Sequence, residues 1–344
     1  MRAADFLLTW FGISILYALY MKLFLLLINL LLVSGAYADT TRHVNLTYTA
    51  FITNLPPGAR EVRWWIPVAV SDERQNVKLL PGDQSAGQIT QEHKYGNRML
   101  YKEIDLKSVA PSDTLKVVLH YQLALNEKNV PEAKSIKATG IQPITNGMQV
   151  YLTGNRLIPL QGPVERLYQQ LQLPKEPIAA ARKIYDYLID NMVYNYKAPG
   201  AGFGDVLWAC NSKTGDCSDY HSIFIGVCRY AGIPADHVFG LPLKKGVGRG
   251  SVKDWHCWAR FYSGKPGWVT IDASEADKHP ELRDYLFGSL SNVYLTLSHG
   301  RDVILSPEQK GPPLNIFADP YVEIDGVKFE GAKWIGTFEE VLPK

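Results

Sequence analysis

Nowhere in this sequence do like charges accumulate: 36 Lys and Arg against 34 Asp and Glu leave a net charge of +2 over 344 residues. Nucleic-acid surfaces need clustered cations, so nucleic acid is not an expected partner. The CxxC and HExxH spacings of zinc sites are missing. Cys217 and His221 are four apart on a predicted helix, and His256 precedes Cys257. Adjacent strand residues face opposite ways, however, so His256 and Cys257 do not both reach one metal easily. No phosphate-cradling loop is evident either. The stretch Gly246-Val247-Gly248-Arg249-Gly250 lacks a strand before it and a helix after it, and reads as a mobile loop beside a cleft. No metal and no cofactor are therefore expected. Low-complexity tracts are absent, and 46 % hydrophobic with 20 % charged residues is the composition of a folded chain. Cysteine is scarce: Cys210, Cys217, Cys228 and Cys257 are the full set, and their spacing leaves any pairing open.

What is present begins with an apolar N-terminus. From Phe6 to Val33 the only charge is Lys22. Met21-Lys22 makes a short positive start, Leu23 to Val33 an apolar stretch, and Ala36-Tyr37-Ala38 a small-x-small cleavage site before Asp39. Residues 1–38 are thus expected to be a signal peptide cleaved after Ala38, with Met21 as an alternative start. The remainder is expected to be exported, to the periplasm or outside the cell. Membrane contact is expected only through the leader, if it stays uncleaved.

Residues 39–150 read as an antiparallel β-sandwich domain. His43 to Ile52, Val62 to Val68 and Leu115 to Leu123 are strand-like runs separated by Gly, Pro, Asn and Asp clusters. A turn-rich connector covers roughly 127–162. Helical spacing then appears in Val164 to Leu171 and in Glu176 to Met192. Cys217 opens a further helix, which Gly232 and Pro234 stop. Two strands follow, Trp255 to Tyr262 and Trp268 to Asp272, joined by the turn Ser263 to Gly267. If Tyr262 faces Trp268, Asp272 becomes the diagonal neighbour of His256 on one sheet face, and Cys257 points the other way.

These placements carry chemistry. A thiol at a helix N-terminus feels the positive end of the dipole, which favours thiolate. His256, framed by Trp255 and Trp258, supplies a base that takes the thiol proton and later protonates a leaving amine. Asp272 would fix the His256 tautomer, with Glu275 and Asp277 as substitutes in another register. Cys217, His256 and Asp272 together point to an acyl-transfer enzyme. The backbone N–H of Cys217 is the first oxyanion donor to consider. Tyr194, Tyr196, Trp208 and Trp258 are the other oxyanion or cleft candidates.

Four elements in order now resemble the transglutaminase-like superfamily, in its bacterial exported branch. They are Gly215-Asp216-Cys217, Gly232-Ile233-Pro234-Ala235, His256-Cys257-Trp258 and Trp268-Val269-Thr270-Ile271-Asp272. Ser298-His299-Gly300-Arg301-Asp302 is similar to a Gly-Arg-Asp segment that follows the core in many bacterial members. The resemblance implies an α+β protein with a papain-like transglutaminase core, a Cys-bearing helix packed on an antiparallel sheet. It implies a catalytic domain over 160–305, with Cys217, His256 and Asp272 as its triad, and a C-terminal extension over 306–344. The sandwich in front looks like the accessory β-domain often found ahead of such cores. The implied activity is that of a thiol hydrolase or acyltransferase, acting on peptide or protein amides through a Cys217 thioester. Hydrolysis is favoured over cross-linking, because water needs no second binding site. The alternatives are a protein-glutamine transamidase and a catalytically idle binding or scaffold protein. Many members carry a small residue where this chain has Cys257, and nothing here resembles the calcium-binding elements of the animal cross-linking enzymes.

Overall fold

A computed structural model describes residues 41–82, 87–134 and 147–341. The expected leader and its cleavage site lie outside the described residues. Among the described residues, no helix is long and apolar enough to cross a membrane.

Period-two alternation builds the first sheet. Val44, Leu46, Tyr48, Ala50 and Ile52 of strand Arg42–Ile52 share one buried face. This strand lies between Leu115–Leu125 and Ala332–Val341, with Leu46 opposite Tyr121 on one side and Phe338 on the other. Gln75–Leu79 and Arg249–Val252 form the two edges. A second antiparallel sheet runs Val327–Lys328, Tyr321–Ile324, Glu61–Val68, Arg98–Asp105, Gln88–Gln91. Leu46, Trp64, Ile66, Val322 and Phe338 from the two sheets meet in one buried core. Tyr48 stacks on Trp334 there, 5.1 Å apart and 16° from parallel.

The sandwich draws on more of the chain than residues 39–150. The C-terminal stretch, read from sequence as an extension, supplies the strands Tyr321–Ile324, Val327–Lys328 and Ala332–Val341. The stretch 246–250 needs a correction. Arg249 and Gly250 are not loop but part of an edge strand, paired with Glu339 and Phe338 on the sandwich. A Cβ at Gly250 would stand 2.5 Å from the Phe338 ring, so glycine here serves close strand contact rather than mobility.

The second module is a four-stranded antiparallel sheet in the order Trp268–Ile271, His256–Tyr262, Ala235–Pro242, Tyr294–His299. Helix Cys217–Tyr230 packs on its two central strands. Ile184 and Tyr185 of helix Pro177–Asn191, Phe224, Phe261 and Phe287 share that core. Gly232 ends the Cys217 helix in the left-handed region (φ 78°), and Ile233 N–H reaches back to the Cys228 carbonyl at 2.9 Å. The hairpin register is the one the turn length predicts, with Tyr262 opposite Trp268 and Ala259 opposite Ile271. Beyond Ile271 the chain leaves the strand, and Asp272 caps the short helix Ala273–Lys278. Both modules belong to one compact unit, Thr41–Lys344.

Candidate active site

Two aspartates set the start of the Cys217 helix. Asp219 accepts the backbone N–H groups of Asp216, Gly202 and Gly204, each at 2.9 Å, and Asp216 Oδ1 accepts that of Ser218 at 2.8 Å. This reciprocal cap satisfies first-turn donors and ties loop 200–204 to the helix. It leaves Cys217 as the first helical residue, with its buried sulfur at the positive end of the dipole.

The hairpin then delivers the other two groups. His256 Nε2 donates to Asp272 Oδ2 at 2.6 Å. Nδ1 is therefore the ring nitrogen left to serve the Cys217 sulfur, and the two groups favour each other's charged forms. The other carboxylate oxygen of Asp272 accepts Ser274 Oγ at 2.9 Å and Glu275 N–H at 3.0 Å. Asp272 is thus held from both sides. Of its two sequence substitutes, Glu275 pairs with Lys278, and Asp277 accepts from Tyr220 Oη at 3.0 Å and Tyr194 N–H at 3.1 Å.

The electrostatics follow from these contacts. A hydrogen bond from the Cys257 thiol, then the hydrogen bond and charge of His256, hold the Cys217 thiol well below its ordinary value against the effect of burial. Burial alone would push the His256 imidazole down, but the charge and hydrogen bond of Asp272, with Cys217, hold it well above the usual range. His256 in turn keeps the buried Asp272 carboxyl below the ordinary carboxylate range. All three shifts run in the direction that favours a thiolate–imidazolium–carboxylate row. Burial, the adjacent Cys217 charge and Asp219 push Asp216 up to about 7.

Sequence reasoning weighed His221 only as a zinc ligand. Its Nε2 accepts the Ala273 N–H at 3.1 Å and lies 3.5 Å from Asp272 Oδ1. Nε2 therefore lacks a proton, and burial lowers this imidazole to about 4, so it stays neutral beside the charged row. The signal available was its spacing, one helical turn after Cys217. Among the described residues, no group of three or more His, Cys, Asp or Glu side chains is arranged to hold a metal.

The cleft candidates separate. Tyr194, in a two-residue strand parallel to Thr214–Gly215, feels the charge of Cys217 before that of any other ionised neighbour. Tyr196 is 64 % exposed on the following loop. Trp208 packs against Gly200 and lines a groove of about 810 Å³ with Phe203, Trp255, Asn315, Asp319 and Phe329. Trp255 and Ile316 border both this groove and the cluster around Cys217. Trp258 is corrected: it is fully buried against Val238, Leu290 and Tyr294, a core residue behind His256. As the next inward residue after His256 on the same strand face, it backs the imidazole, 6.3 Å between ring centres.

Arg301 is a second residue whose part the sequence did not disclose. Its fully buried guanidinium donates to the Phe203 carbonyl and Asn315 Oδ1 at 2.8 Å each, and to His237 Nδ1 at 3.1 Å. It fastens loop 200–204 and the 312–316 segment beside the helix start. Gly204, at φ 60°, faces it, and a Cβ there would run into the Arg301 guanidinium and the Ser222 hydroxyl. Gly204→Ala is therefore expected to cost roughly 2–4 kcal/mol, read as a lower urea midpoint with unchanged slope. An unchanged midpoint would show that the Arg301 anchor is soft.

A helix-borne thiol, a strand-borne imidazole and a capping carboxylate on an antiparallel sheet are the architecture of the papain-like α+β class. Residues 165–273 match the family model of the transglutaminase-like superfamily, and the chain carries a domain of that superfamily. An uncharacterized protein of Haemophilus influenzae is 28 % identical over 311 residues, covering 79 % of this chain and 83 % of its own length. A crystal structure from Cytophaga hutchinsonii, named provisionally as a cysteine protease, has the same fold at 12 % identity. Its TM-score is 0.56, over 88 % of this chain and 92 % of that one. The periplasmic domain of TgpA from Pseudomonas aeruginosa, bound to ethylmercury, aligns at a TM-score of 0.37 and 19 % identity, over 69 % of this chain and 92 % of that one.

Proposed function

We propose that this protein is an exported thiol hydrolase that cleaves amide bonds in peptides or proteins through a Cys217 acyl-enzyme. The observation that carries the reading is the 2.6 Å His256–Asp272 hydrogen bond beside a thiol at a helix N-terminus. The Cys217 thiolate attacks the amide carbonyl carbon, and the carbonyl oxygen takes the negative charge. Ser218, Asp219 and Tyr220 N–H groups are bonded to Asp216, which leaves the Cys217 N–H to receive that charge, and Tyr194, which feels the Cys217 charge, is the candidate for a second donor. The His256 imidazolium gives its proton to the leaving amine, and the C–N bond breaks. Neutral His256 then takes a proton from water, which attacks the thioester and releases the acid and the Cys217 thiolate. The groove walled by Trp208 and Trp255 takes the flanking peptide. Export rests on the leader pattern of Met21 to Ala38.

Transamidation uses the same thioester with an amine in place of water. The full chain incubated with a peptide library and a labelled primary amine separates the outcomes by mass spectrometry. Peptides with new carboxyl termini and no label are expected. Label in the products would assign transamidation, and intact, unlabelled peptides would leave a binding or scaffold protein.

A further inference from the structure

The four cysteines are free thiols, and only one of them sits beside Cys217. Cys210, the nearest upstream in sequence, is not that one. It packs against the helical core and lines a separate cavity of about 220 Å³ with Arg166 and Tyr187, where burial pushes its thiol up to about 11. Cys228 is sealed within the same core. The neighbour is Cys257. It follows His256 in the strand, so its side chain turns to the face that meets the Cys217 helix. Its sulfur lies 3.8 Å from Ser218 Oγ and 3.7 Å from His221 Nδ1. Cys217, Cys257, Phe239 and Ala318 form one buried cluster, so the two sulfurs share one pocket at the helix start.

We propose that Cys217 and Cys257 form a hydroperoxide modification site, in which Cys257 resolves oxidised Cys217 into an intramolecular disulfide. The proposal rests on the reading of Cys217 as a thiolate paired with His256, not on which amide it attacks. In the first step the thiolate attacks one peroxide oxygen. The O–O bond breaks, Cys217 becomes a sulfenic acid, and the departing hydroxide takes the His256 proton to leave as water. In the second step the Cys257 sulfur attacks the Cys217 sulfur. The S–O bond breaks, and the departing hydroxide takes the Cys257 proton as a second water. Two thiol electron pairs become one S–S bond, and the peroxide is the oxidant reduced. His221 assists as a donor. Its Nε2 is occupied by the Ala273 N–H, so Nδ1 carries the hydrogen that faces the Cys257 sulfur as that sulfur loses its own proton. Burial of both thiols in one cluster makes this step faster than a second peroxide attack, so the nucleophile is parked in a reducible form rather than lost as sulfinic acid.

The test uses the reduced full chain, hydrogen peroxide and non-reducing peptide mapping. The peptides bearing Cys217 and Cys257 are expected joined, about 2 Da lighter than their sum, with loss of activity that a dithiol reverses. In Cys257→Ser, Cys217 is expected to trap dimedone as the sulfenic acid and then gain about 32 Da irreversibly. Wild-type Cys217 recovered as sulfinic acid with no joined peptide would overturn the proposal, as would linkage to Cys210 or Cys228. Alkylation of the reduced protein near pH 6 keeps the two claims apart. Fast Cys217 alkylation without linkage ends only the pairing, whereas slow alkylation removes the thiolate reading beneath it.

Discussion

Asp272→Asn is expected to lower kcat/KM for an amide substrate by about 10³–10⁴-fold, with most of the loss in kcat. The direction of the amide decides this. Ser274 Oγ and the Glu275 N–H both donate to Asp272 Oδ1, so in the variant they select the amide oxygen for that position. The NH₂ group then faces His256 Nε2, where the carboxylate stood at 2.6 Å. Two donors cannot share that contact, so His256 moves its hydrogen to Nδ1, the nitrogen that must accept from Cys217. The base is in the wrong tautomer, and the imidazolium also loses its counter-charge. A steady-state assay of wild type and variant checks this, with a denaturation curve to show that both are folded. A loss under about tenfold would mean that Asp272 is only a helix cap.

His256→Ala is expected to remove turnover almost entirely, by roughly 10⁴–10⁶-fold in kcat. Its second consequence separates the two roles of the imidazole. Without His256, the Cys217 thiol loses a hydrogen bond and a charge that hold it down and rises, so raising the pH regenerates the nucleophile. It does not regenerate a proton donor for the leaving amine. Alkylation of Cys217 in the variant should therefore recover at alkaline pH while amide turnover does not. Parallel recovery of both would show that His256 serves only to ionise the thiol.

Much of this site was legible from local rules. The five residues between Tyr262 and Trp268 fix the hairpin register, and strand parity then brings Asp272 diagonal to His256. Gly215, Asp216 and Asp219 mark the helix start, and Gly232 and Pro234 its end. What escaped was non-local. Ala332–Val341 alternates well enough to be a strand, but nothing in it says that it pairs with Arg42–Ile52 at the other end of the chain. Arg301 stands out in sequence only as part of a Gly-Arg-Asp segment, because the carbonyl and side chains that satisfy it come from residues 203, 237 and 315. Trp258 was misplaced for a related reason. Parity puts it on the His256 face, but only the burial of that face by Leu290 and Tyr294 shows it to be core. Cys257 was correctly turned away from His256, yet the helix that meets it there is visible only in three dimensions.

The central claim is that Cys217 is a standing thiolate, and the pH dependence of iodoacetamide alkylation, followed separately for each cysteine in the reduced full chain, tests it most directly. A thiol held below its ordinary value is ionised above that lowered value and loses thiolate only as the pH falls through it. The Cys217 rate should therefore already be high at neutral pH and rise little from there to alkaline pH, falling only on acidification. Cys210, pushed up to about 11, and the buried Cys228 and Cys257 should react slowly across that range. A Cys217 rate that climbs about tenfold per pH unit toward pH 8.5, as a free thiol does, would contradict the account.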